Sequence, residues 1–103
     1  MKDTGKMNDL RDMTAEDFSK MEGSVFTVTS IDTKLDLELI EVKKLGSGER
    51  NGGAFSLLWQ GPSEPALQQA TYCVSQAAIG SHDVFLVPVA EKEAGYQYEA
   101  IFT

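Results

Sequence analysis

This 103-residue sequence has one cysteine, one histidine, no long apolar run and few basic residues. Cys73 by itself forms no internal disulfide. With His82 the single imidazole, the chain also has too few soft ligands for a structural zinc site, so neither a metal nor a cofactor is expected. The apolar stretches are a few residues long, against the roughly 20 needed to span a bilayer, and the N-terminus lacks the apolar h-region of a signal peptide. The expectation is a cytoplasmic protein with no membrane insertion. Nine basic residues face sixteen acidic ones, for a net charge of −7, and only Lys43 and Lys44 are adjacent. Nucleic-acid phosphates and anionic lipids are poor partners for such a surface.

Hydrophobic residues make up 42% of the chain and charged residues 24%, which is ordinary for a globular domain. A chain of this length supports one core and buries roughly 60 to 70% of its unfolded surface on folding. Residues 1–13 are polar and mixed in charge and read as a flexible arm. Met7, Leu10 and Met13 would share one side of a helix if a partner or the core induced it. The domain proper is expected over residues 14–103.

Thr14-Ala15-Glu16-Asp17 has the pattern of a capping box, a hydroxyl at the N-cap answered by a carboxylate three positions on. It predicts a helix of about two turns with Phe18 and Met21 on one face and Gly23 as its stop. From Val25 the apolar period changes to two. Residues 25–30 and the run from Leu35 form a hairpin around residues 31–34. Leu35, Leu37 and Leu39 alternate with Asp36 and Glu38, and the parity then reverses at Ile40 and Val42, which predicts a β-bulge near Leu39-Ile40. The four glycines of residues 46–53 mark a mobile loop.

Further strands are expected at residues 55–60, at about 69–75, at 83–89 and from Tyr96 to the end, with Gly61-Pro62-Ser63-Glu64-Pro65 and Gly80-Ser81-His82 as breaks. The run Asp83 to Val89 is apolar on both parities, as in a central strand covered on both sides, and Pro88 places a bulge or an unpaired position near its end. The fold class is mainly β: a six-stranded antiparallel barrel-like domain or compact sandwich with one short N-terminal helix plugging an end.

These segments resemble an uncharacterised family of small bacterial proteins, a domain of unknown function. The resemblance rests on Thr14 to Phe18, on Phe55 to Leu58 followed by Gly61 and Pro62, and on Gln69 to Tyr72. It continues through Phe85 to Val89 and Tyr98 to Phe102, and so covers residues 14–103. It departs at Ala70-Thr71, where a glycine is expected, and at Ala77-Ala78, where a His-Pro pair is more usual. The resemblance implies a fold and no catalytic residues. It also implies an accessory place in a larger surface or phage-tail-like assembly.

No grouping of residues points to catalysis. Ser81-His82-Asp83 has the residue types of a hydrolase triad, yet consecutive strand residues point to opposite faces and cannot relay a proton. The glycine loop at 46–53 lacks the ending and the following helix of a phosphate cradle, and Cys73 has no basic neighbour in sequence to stabilise a thiolate. Asp32 with Asp36, and Glu91 with Glu93, lack a calcium loop's spacing.

Trp59, at a strand end before Gly61-Pro62, has the position of an interaction anchor, although a lone tryptophan in a small domain is usually core. Pro62, Tyr96 and Tyr98 complete the candidate contact set. The expected function is therefore a non-enzymatic structural or protein-interaction domain using strand edges and aromatic barrel ends, with another protein or a second copy as partner. The alternative is a small-ligand-binding barrel, which requires a cavity on the order of a few hundred Å³. Phe26, Leu37, Phe55, Leu57, Leu86 and Phe102 are bulky enough to fill a small barrel instead.

Overall fold

The computed structural model describes residues 10–46, 48, 53–93 and 95–103. A short helix, α1 (Ala15–Ser19), is followed by β1 (Val25–Thr29), β2 (Lys34–Gly46), β3 (Ala54–Gln60), β4 (Ala70–Gln76), β5 (Gly80–Lys92) and β6 (Gly95–Phe102). All neighbouring strands run antiparallel, in the order β1-β2-β3-β6-β5-β4, and β4 pairs back to β1 so that the sheet closes into a barrel-like ring.

Residues 1–9 of the expected arm lie outside the described residues. Its last residues, Leu10–Asp12, form a 3₁₀ turn, and Met13 is buried in the core. The capping box is formed: the Thr14 amide donates to Asp17 Oδ2 at 2.9 Å, and the Asp17 amide donates to Thr14 Oγ1 at 3.3 Å. The helix stops after five residues rather than two turns. Beyond Ser19 the backbone tightens into three-residue bonds, from the Met21 amide to the Phe18 carbonyl at 2.8 Å and from Ser24 to Met21 at 2.9 Å. Gly23, at φ +88°, then turns the chain so that its amide reaches the Leu39 carbonyl at 2.7 Å.

Phe18 drops from α1 onto Phe55 and Phe102, at ring-centroid distances of 5.7 and 6.2 Å, and closes one end of the ring. The two sheet rings are themselves stacked at 5.0 Å. Such a cluster stabilises beyond its buried area.

The β1–β2 hairpin forms around residues 30–33, with the Ser30 amide bonded to the Thr33 carbonyl at 2.8 Å. The bulge expected near Leu39-Ile40 is present as a register shift between Leu39 and Glu41. It lets Leu39 stay fully buried while Ile40 turns outward. A second β2–β3 shift lies between Lys44 and Gly46, and a third lies between Pro88 and Ala90, where proline has no N–H to give the β5–β6 ladder. Of the glycine loop, residues 47 and 49–52 lie outside the described residues.

A further expectation is overturned. β5 is not covered on both sides: Val84 and Leu86 point inward, whereas Phe85 and Val89 are about half exposed. The reason is topological. A sheet closed on itself has a single inner face, so the alternate residues of every strand face outward.

Candidate functional site

The interior is full. Phe26, Phe55, Leu37, Leu39, Leu57, Leu86, Trp59 and Tyr98 are all essentially inaccessible. The void lined by Phe18, Phe26, Leu57, Trp59, Val84 and Phe102 measures about 10 Å³, no more than the space of a single water. No barrel lumen of ligand size exists among the described residues.

The four candidate contact residues are dispersed by this packing, and Trp59 takes the core role usual for a lone tryptophan. Trp59 is 1% exposed and Tyr98 0%, so neither side chain is offered to a partner. Trp59 lies edge-on to Phe26 at 5.6 Å. The Tyr98 hydroxyl accepts the Leu67 amide at 2.8 Å inside the loop between β3 and β4. Burial raises the Tyr98 phenol above its ordinary pKa, opposed by the Leu67 bond. Tyr96 is half-buried and packs against the core, and Pro62 alone of the four is exposed. Each strand has a bonded neighbour on either side, but β2 beyond Leu39 and β5 beyond Leu86 are laddered on one side only. The shortest seam, β1 to β4, spans Thr27–Ser75 to Thr29–Cys73.

Ser81, His82 and Asp83 fall on β5 opposite Ser75, Val74 and Cys73. The His82 ring lies 2.6 Å from the Ile79 carbonyl through Nε2, in the β4–β5 turn, and the flanking Ser81 and Asp83 are exposed on the other side of the strand. Cys73 is half-buried. Among the described residues no group of three His, Cys, Asp or Glu side chains is gathered for a metal ion, and no helix is long and apolar enough to cross a membrane.

At the α1 end an open groove of about 490 Å³ runs between Asp12, Asp17 and Lys20 on one side and Ala78 and Ile79 on the other. Its charged lip is partly committed, because the Asp17 carboxylate holds the Thr14 amide. Glu16 on the same helix pairs with Lys44, which lowers its pKa from the ordinary carboxylate value.

The feature that sequence reasoning missed lies on the outer sheet face. Phe85 is 50% exposed on β5 and Ile101 58% exposed on neighbouring β6, with Val89 also outward at the β5 bulge. Glu99 sits between Val87 of β5 and Leu58 of β3, paired with both across the sheet. All three of these residues are half-buried. The result is a patch of apolar side chains on β5, β6 and β3 around one carboxylate, bordered by the Gln97–Gln60 side-chain pair on the same face. The signal was in the sequence: β5 is apolar on both parities, so once the sheet closes one parity must meet water.

A family model described as a domain of unknown function (DUF6916) matches residues 13–102. No curated protein and no solved structure matches the chain.

Proposed function

The chain belongs to the DUF6916 family, and we propose that it is a non-enzymatic protein-interaction domain that binds through the outer face of β5, β6 and β3. The observation that carries this reading is the exposure of Phe85 and Ile101 on adjacent strands beside a full interior. Large exposed side chains grouped on one face mark interaction surfaces, whereas scattered ones need no explanation. The remaining large exposed apolar residues among the described ones, Val25, Ile31, Ile40 and Leu45, belong to β1, the β1–β2 turn and β2. The surplus of acidic residues favours a protein partner over nucleic acid. A rigid, closed sheet presenting one sticky face suits an accessory of a larger surface or phage-tail-like assembly working in the cytoplasm.

Native mass spectrometry of the protein isolated from its own host tests the reading. A stoichiometric protein complex is expected. A bare chain of 11.3 kDa carrying a small organic mass would replace this reading with the ligand-binding one, with the groove beside α1 as the place to look.

A further inference from the structure

Resting on that reading, we infer that the partner presents an apolar surface with a lysine or arginine at its centre, and that this cation docks on Glu99. Glu99 is hemmed in by Val87 and Leu58 on its two neighbouring strands, and no ion pair to it forms among the described residues. Covering this face would strip water from the carboxylate. Desolvating an unpaired charge is costly, and a cation that hydrogen-bonds to it offsets that cost.

Charge argues against a second copy as the occupant. In a two-fold interface centred here each Glu99 would approach its own counterpart. Each chain also carries a net −7. The surrounding charges lean the same way: Glu41 pairs with Leu58, and Asp83 lies on β5 two residues before Phe85, against Lys43 opposite Ser56. A basic partner is attracted by this field, where an identical acidic one is repelled.

The test is photo-cross-linking in the native host. Phe85→p-benzoylphenylalanine is compared with the same replacement at Ile31, which is 99% exposed in the first turn. A protein captured from position 85 and not from 31 is then purified and titrated against variants. Its affinity is expected to fall by at least about tenfold with Glu99→Lys. It should fall less with Glu99→Gln, and it should weaken as salt is raised. All three positions face outward, so thermal melts of the variants separate binding from folding.

Undiminished affinity with Glu99→Lys, or capture only of a second copy, overturns the inference. Native mass spectrometry separates the remaining cases. A partner seen there but not captured from position 85 overturns the docking site and leaves the interaction reading standing. No partner by either method removes both.

Discussion

At the residue scale, burial decides the roles of the aromatic side chains. Tyr98 is inside the sheet, and its hydroxyl is the acceptor for the Leu67 amide. Tyr98→Phe would strand that buried amide, so a loss of about 1–3 kcal/mol is expected in urea unfolding at neutral pH. The same hydroxyl gives the fold an alkaline weakness. Its pKa is raised by burial above the ordinary 10.0, so the native state holds this proton more tightly than the unfolded chain. The resulting stability is complete below about pH 10 and is lost as pH climbs through the raised value. Unfolding free energies from pH 8 to 11 should therefore decline less steeply for Tyr98→Phe than for the wild type. Equal slopes would mean that Tyr98 does not contribute. Trp59 has a different economy: its indole N–H is buried without a partner among the described residues. Trp59→Ala is expected to cost about 3–5 kcal/mol through the cavity it leaves. Trp59→Phe should cost less, because the orphaned donor goes with the indole.

At the element scale, α1 is too short to stand alone and depends on its cap and on Phe18. Thr14→Ala removes the acceptor for the Asp17 amide and should cost about 1 kcal/mol. The loss would be read as a lower denaturant midpoint with an unchanged slope. The cap was legible in the sequence because it is local: two side chains three apart suffice to define it. The Leu39-Ile40 bulge and the break at Pro88 were legible for similar reasons, one written as a parity reversal and the other as a missing donor. The covering of β5 was not legible. Whether a doubly apolar strand is sandwiched or faces water depends on closure of the sheet between β1 and β4, residues far apart in the chain. Whether Tyr98 is core or contact was left open for the same reason. Alternation assigns a parity but does not say which parity faces inward.

At the scale of the whole molecule, closure has two consequences that together set the proposed function. It packs Phe26, Leu57, Trp59 and Leu86 into one lumen, leaving a void of about 10 Å³, and it turns Phe85 and Ile101 to the outside. The proposed function thus rests on the face, and stability on the packed lumen. The most direct measurement follows partner association and thermal unfolding in parallel for Ile101→Asp and Trp59→Ala. The account predicts that Ile101→Asp melts within about 0.5 kcal/mol of the wild type yet loses the complex, whereas Trp59→Ala melts far earlier and still binds while folded. A complex that survives Ile101→Asp and disappears in folded Trp59→Ala would contradict it.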